Sequence, residues 1–393
     1  MVAILGNSGY LTAMIENRAV ATGTSFLGMF FLGIGVAIIG ATARSVGYTA
    51  AQIGYLVSAQ NIGFGVSVLV AGALSDIFSK PKILAVGCAI LAASFAVLYR
   101  SDVYAVNMLV MAGTGVGMGA AEAVTDALLM DIHDKNESRY ITINHFFVSI
   151  GSVVITLYLM FLRMNWMASL TQVAIGLAVL AVVCLFLRPR GKKRGAITAG
   201  EIISVLGKNR AIVLLFITAS CAIGLGAGSM AMITTYLSVL RGTSDEIAQI
   251  GLALFLIGLA TGRIVLGLVS RHDSLEKTVA FSFAAATIVV GGFFLVPLPV
   301  AVALPIAFLG GLTVAPLLPL SIALAGLMFR RIAGTAMGVV KVAIPVGGIV
   351  VPAVLAFVAD TVSFAASLYV FPVIGLLGVL GIVASGATRE DRT

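Results

Sequence analysis

Charged residues are scarce in this sequence. Only 10% of its 393 residues are Asp, Glu, Lys or Arg, whereas 60% are hydrophobic. Soluble domains carry about 25% charged residues, so the composition excludes a soluble globular protein. Apolar runs of roughly 20 residues, the length that crosses a bilayer, recur along nearly the whole chain. The sequence therefore predicts an all-α, multi-pass membrane protein.

Residues that carry enzyme chemistry are also few. Three cysteines lie in apolar runs without a pairing pattern, and three histidines are scattered. Neither a nucleophile–base arrangement nor a metal-ligand spacing nor a phosphate-binding glycine loop emerges. We therefore expect no enzymatic activity, no cofactor and no metal. The net charge of +8 is explained by basic cytoplasmic loops, so no nucleic-acid partner is predicted.

Twelve membrane spans are predicted, with both termini in the cytoplasm. The orientation follows because the predicted outer loops contain only Arg44, Arg100, Arg163 and Arg241, while most other basic residues fall on the inner side. We expect a monomer in the inner membrane of the cell, surrounded by lipid. The predicted spans are 24–43, 53–74, 83–99, 103–131, 141–163, 168–188, 211–237, 247–269, 278–296, 300–327, 334–358 and 363–386.

An internal repeat divides the chain near its midpoint. The tetrapeptide Ala-Gln-Ile-Gly opens predicted span 2 at 51–54 and recurs at the start of span 8 at 248–251. Each of these spans ends in a similar turn. The repeat predicts two six-helix bundles of the same topology. Their expected boundaries are 1–190 and 211–393, joined by a basic cytoplasmic linker over 191–210.

The loop between spans 2 and 3 gives the first family resemblance. Gly72 is followed four residues later by Asp76 and then by Lys80. With twelve spans in two repeated halves, this pattern resembles the major facilitator superfamily of transporters, although Ile77 replaces the usual basic residue after the acid. The resemblance implies the major facilitator fold and a cytoplasmic conformational switch. The implied switch residues are Gly72, Asp76, Lys80 and Arg271.

A narrower resemblance lies in spans 4 and 5. Glu122 and Asp126 follow three closely spaced glycines, and His145 begins the sequence His-Phe-Phe-Val-Ser-Ile-Gly. These segments resemble the fucose/galactose/glucose–proton symporter branch, as does Gly-Gly-Ile-Val-Val-Pro at 347–352. That branch has Asn at the Asp126 position and Gln at the His145 position, and it carries a carboxylate in span 1 that is absent here. The resemblance implies transport of a sugar with protons.

Glu122 and Asp126 are also the residues that chemistry singles out. Residues four apart share one face of a helix, and ionisable groups at membrane depth mark substrate or proton paths. Glu122 is predicted to carry a proton, while Asp126 is either a second proton site or the partner of a basic residue. His145 could relay protons or bind a substrate hydroxyl, or could be hydrogen-bonded at the helix entrance. Asn144 is expected to point to a different face.

Two basic residues within spans favour an anionic substrate. Arg263 in span 8 and Lys341 in span 11 resemble the pair that engages the substrate in the monocarboxylate and oxalate branches of the superfamily. Lys341 lies six residues before Gly347, as His145 lies six before Gly151. We predict a substrate site that draws on both halves. The candidate substrate-binding residues are Glu122, Asn144, His145, Lys341, Arg263, Asn61 and Gln60.

The sequence thus predicts a proton-coupled secondary transporter of a small polar organic solute. A monosaccharide and a small organic anion both remain open. An exporter of amphiphilic compounds or lipids is the alternative within transport, and a solute sensor that does not transport is the alternative outside it. Intramembrane charges in both halves disfavour a structural role, because such charges are costly.

Overall fold

The computed structural model describes residues 17–46, 48, 50–133, 136–161, 166–188, 200, 209–269 and 275–387. Within these residues every regular element is helical, as a bilayer requires of a backbone that must satisfy its own hydrogen bonds. The first half of the chain forms α1 (Arg18–Val46), α2 (Ala50–Ile77), α3 (Lys80–Val97), α4 (Tyr104–Ile132), α5 (Glu137–Phe161) and α6 (Trp166–Phe186).

The second half contains shorter helices and more interruptions. A π-helical turn, Tyr236–Leu240, extends the first of these helices, and a 3-10 turn, Arg330–Ile332, precedes the sixth. The helices are α7 (Arg210–Thr235), α8 (Asp245–Val269), α9 (Leu275–Leu295), α10 (Val300–Val314), α11 (Leu317–Met328), α12 (Ala333–Lys341), α13 (Ala343–Thr361), α14 (Phe364–Ser367) and α15 (Val370–Ala387).

Membrane-crossing segments account for most of the described chain. Eleven helical segments are long and apolar enough to span a bilayer, which supports the multi-pass prediction. Helix α5 occupies the place of the fifth predicted span but is not among these eleven. The count of twelve crossings therefore stays a prediction. The linker predicted over 191–210 lies almost wholly outside the described residues.

The chain divides into two compact units. One is drawn from Met1–Tyr140, Asn144–Ile202 and Phe329–Gly338, and the other from Ile141–Ile143, Ile203–Met328 and Val339–Thr393, so far as these ranges are described. The segment Phe329–Gly338 thus belongs to the first unit although it comes from the second half of the sequence. Its attachment is described with the site below.

Glycines reproduce the internal repeat inside each unit. In the first unit, a Cβ added to Gly115 of α4 would overlap the backbone carbonyl of α2, and one added to Gly151 of α5 would overlap that of α1. In the second unit, Gly311 of α10 stands in the same way against α8, and Gly347 of α13 against α7. Each pair is separated by 196 residues in the sequence. Small residues let these backbones approach closely, so equivalent helices pack alike.

Prolines explain the interruptions in predicted spans 10 and 11. Span 10 breaks at Ala315 and Pro316, and span 11 breaks at Val342, three residues before Pro345. Proline has no N–H and clashes with the carbonyl four residues earlier. For Pro345 that carbonyl belongs to Lys341, which is the last residue of α12. The break before Pro345 therefore makes Lys341 the last residue of its helix.

Candidate functional site

Helix α4 carries the two acids on a closely packed face. The helix contacts α1, α2 and α3, and a Cβ at Gly117 or Gly119 would overlap atoms of α3 or α2. Glycine removes the side chains that would hold these helices apart. Glu122 and Asp126 are consequently buried, with 2% and 0% of their surfaces exposed.

Asp126 is held at both carboxylate oxygens by helix α5. Asn144 Nδ2 donates to Asp126 Oδ1 at 2.7 Å and lies 3.0 Å from Thr125 Oγ1. His145 Nε2 lies 3.1 Å from Asp126 Oδ2. Bonds to ionised groups are among the stronger hydrogen bonds in proteins, so this carboxylate is firmly oriented.

Glu122 joins the same cluster through the imidazole. His145 Nε2 lies 3.6 Å from Glu122 Oε1, and His145 is 5% exposed. One ring nitrogen therefore faces both acids of α4. The ligand atoms of the three side chains lie within 4.8 Å of one another. The same three side chains were predicted from the sequence as proton-coupling residues, and the structure brings them together.

The arrangement can hold and exchange protons. With both acids ionised and the imidazole protonated, the cluster carries a net charge of −1, and one further proton makes it neutral. A charge that is expensive in an apolar surrounding can thus be removed by protonation.

Asn144 and His145 reach the same carboxylate, which the sequence analysis did not anticipate. Neighbouring residues of a helix point in directions about 100° apart, and we expected them to face different surfaces. Asp126 accommodates both because its two oxygens accept from different directions. Thr125, which was not predicted, lies 3.0 Å from the Asn144 amide. Its spacing on α4 gives no signal, since threonines are common within membrane helices.

The predicted basic residues lie in the second unit. Lys341 is completely buried and is the last residue of α12. Arg263 lies on α8 and is partly buried. Of the two, only Lys341 is fully buried.

The predicted amide ligands have different surroundings. Gln60 is buried on α2, and its Nε2 lies 3.2 Å from the Gly35 carbonyl of α1 and 3.1 Å from Met118 Sδ of α4. These contacts fix the packing of three helices. Asn61 is only partly buried. Gln60 therefore has a structural role that the sequence analysis did not foresee.

Asp76 binds the N-terminus of helix α12. Its Oδ1 accepts from Gly334 N at 2.9 Å, and its Oδ2 accepts from Thr335 N and Thr335 Oγ1, both at 2.7 Å. Gly72 lies close to the same segment, since a Cβ there would meet the Gly334 carbonyl oxygen at 2.7 Å. A carboxylate at a helix N-terminus is stabilised by unpaired N–H groups and by the helix dipole. These partners are two backbone N–H groups and the Thr335 hydroxyl of α12, not the basic residues of the loop.

Two further ion pairs belong to the first unit. Lys80 Nζ lies 2.7 Å from Asp131 Oδ2. Arg330 Nη2 lies 3.5 Å from Oε1 of Glu137, whose side chain is fully buried. The sequence pattern singled out Lys80 but not Arg330 or Glu137, which are 193 residues apart. Arg271 lies outside the described residues.

Known structures share this fold. The chain is 14% identical to the proton:xylose symporter XylE bound to 6-bromo-6-deoxy-D-glucose, with a TM-score of 0.72 and 95% of each chain covered. A point variant of the Escherichia coli fucose:proton symporter FucP gives 13% identity and a TM-score of 0.73, over 93% of this chain and 98% of that one. The human organic anion transporter MFSD10 (TETRAN) is 13% identical, with a TM-score of 0.72, over 93% of this chain and 100% of that one.

Sequence comparison identifies the family. No curated protein sequence matches the chain. The family description "Major Facilitator Superfamily" matches residues 19–310, which is well over half of the chain. Members of this family are transporters and not enzymes. The prediction made from the loop after span 2 and from the repeat is therefore confirmed: the chain belongs to the Major Facilitator Superfamily.

Proposed function

We propose that this protein couples the transport of a small polar organic solute to protons. The observation that carries the proposal is the buried cluster of Glu122, Asp126 and His145, in which one imidazole nitrogen faces two carboxylates. Three titratable groups in an apolar helix pair are costly to retain without a use. Proton binding to the cluster would set its charge, and alternating access would then carry proton and solute together.

The solute is a monosaccharide or a small organic anion. The sugar is supported by the resemblance of spans 4 and 5 to the sugar–proton symporter branch, and two of the similar structures are proton symporters of xylose and fucose. The anion is supported by Lys341, whose buried ammonium could neutralise a carboxylate of the solute. Another similar structure is an organic anion transporter. We propose Glu122, Asn144, His145, Lys341 and Arg263 as the residues to test first.

The membrane arrangement proposed here follows the sequence analysis. It has twelve spans, six-helix bundles at 1–190 and 211–393, a linker at 191–210, cytoplasmic termini, and a monomer in the inner membrane. The distribution of Lys and Arg supports this orientation.

The experiment that tests the function uses purified protein in liposomes. A thermal-shift screen against sugars, amino acids and carboxylates would identify a ligand, because binding to the native state raises apparent stability. Counterflow of that labelled ligand would then establish transport, and solute-driven alkalinisation of the outer medium would establish proton symport. Binding without counterflow would indicate a sensor, and counterflow without proton movement would contradict the coupling.

Asp76→Asn tests the proposed conformational switch. The amide loses the negative charge and turns an NH₂ group towards the donors of α12. The interaction between residue 76 and α12 should therefore weaken by the free energy of a charged hydrogen bond, roughly 1.5–3 kcal/mol. We expect the lower end of that range, because Asp76 is partly exposed. The ratio of cysteine labelling from the two membrane faces should change about tenfold, with solute binding retained. Asp102→Asn, at an exposed acid of the same unit, is the control. An unchanged labelling ratio in Asp76→Asn would leave this loop without a switching role.

A further inference from the structure

The end of α7 in the second unit holds a pocket that the proposed transport function does not use. Its volume is about 200 Å³, smaller than the roughly 300–1,000 Å³ typical of sites for drug-sized ligands. The walls come from the end of α7, the α9–α10 connection and the region around α14. The lining includes Tyr236, Leu240, Arg241, Phe294, Leu368 and Tyr369.

Arg241 is the charged group of this pocket. Its Nη2 donates to the Leu298 carbonyl, which fixes the guanidinium in place. Its Nε is buried and finds no acceptor among the described residues. Within that part of the chain Arg241 also forms no ion pair. A buried donor without an acceptor is costly, so an arriving oxyanion would gain a preformed, charged hydrogen-bond donor.

The backbone places Arg241 at this position through a π-type turn. Arg241 N donates to Tyr236 O at 3.2 Å, and Gly242 then ends the turn with φ +65°. Such turns are rare and occur frequently at functional sites. The turn also presents Tyr236, whose ring contacts Phe294 edge-on with centroids 5.3 Å apart. The arrangement sets one cation against an aromatic and aliphatic wall.

We propose that this pocket binds a phosphate group, with Arg241 as the anion partner and the surrounding rings as an apolar wall. Two sources could supply this chemistry: free phosphate, or the headgroup of an anionic phospholipid whose acyl part lies against the apolar wall. In the orientation proposed above, the pocket opens on the outer side of the membrane. An amphiphilic phosphate matches a site of one cation and many apolar contacts better than a small, fully hydrated ion.

The test measures binding to purified full-length protein in a neutral detergent. The probes are inorganic phosphate, the short-chain lipid dihexanoylphosphatidylglycerol, and dihexanoylglycerol as an apolar body without the phosphate. Affinities follow from native mass spectrometry and from the shift in unfolding temperature. Arg241→Gln should weaken binding of the phosphatidylglycerol about tenfold, as expected for loss of a charge-assisted bond. Arg210→Gln, at the exposed opposite end of α7, should leave it unchanged.

A second variant covers the case in which Arg241→Gln fails to fold. Ala365→Trp fills the pocket from an exposed position and should weaken binding by a similar factor. Arg241-dependent binding of inorganic phosphate would identify free phosphate as the ligand, whereas binding of the lipid alone would identify a headgroup. Equal affinity in wild type and all variants, or no binding of either phosphate-bearing probe, would overturn the proposal. None of these binding results depends on proton coupling. The phosphate site could therefore be contradicted while proton-coupled transport holds, and the reverse is equally possible.

Discussion

Glu122→Gln should abolish uphill accumulation of the solute and retain its exchange. Glutamine keeps the shape of the side chain but cannot carry a proton. For one proton per solute, an inward gradient of one pH unit supports about tenfold accumulation, since each unit corresponds to about 1.4 kcal/mol. We therefore expect the accumulation ratio to fall from about ten to about one. Counterflow, which needs no net proton movement, should stay within about threefold of the wild-type rate.

The control for this experiment is Glu246→Gln. Glu246 lies at the exposed start of α8, so the same chemical change there should leave the accumulation ratio near ten. Wild-type accumulation by Glu122→Gln would show that protons are carried elsewhere or that another ion drives transport. Loss of counterflow as well as accumulation would place Glu122 in solute binding and not in coupling alone.

Replacing Lys341 should distinguish an organic anion from a sugar. The ammonium is fully buried at the end of α12, and burial of a charge requires compensation. If the solute carboxylate provides it, Lys341→Met should weaken anion binding by about 1.5–3 kcal/mol, or roughly tenfold to 150-fold. A neutral sugar should change by less than about threefold. Methionine keeps most of the side-chain volume, whereas Lys341→Ala adds the cost of a cavity.

Lys277→Met provides the matched control, because Lys277 is exposed on α9. Thermal-shift titration of the best ligand at several pH values measures both variants. Weakened transport of every solute by Lys341→Met would mean that the ammonium supports a carboxylate of the protein instead of the substrate. Equal binding by Lys341→Met, Lys341→Ala and wild type would exclude both roles.

The fold was largely predictable because the bilayer leaves few choices. Apolar run lengths gave the helices. The spacing of Glu122 and Asp126 also predicted their common helix face correctly. Such features depend on residues that are near one another in the sequence, where helical geometry alone sets the outcome.

Contacts between distant segments could not be predicted in the same way. The attachment of Asp76 to Gly334 and Thr335 joins residues more than 250 positions apart, and the acceptors are satisfied by backbone N–H groups that nearly every residue possesses. The Asn144 contact was missed for a different reason. Helix periodicity gives the direction of a side chain but not the width of the acceptor that it meets, and a carboxylate is wide enough for two donors.

The closeness of Glu122, Asp126 and His145 in the sequence has a consequence for biosynthesis. The acids and the imidazole lie between Glu122 and His145, on two consecutive helices. Closing so short a connection costs little entropy, and chains fold from the N-terminus during synthesis. The carboxylates can therefore meet His145 and Asn144 as soon as α5 enters the membrane, before the second half of the chain exists. We expect these contacts to be formed already in a ribosome-bound chain that ends after α6. Neither acid would then lie in the lipid without a partner while the rest of the protein is synthesised.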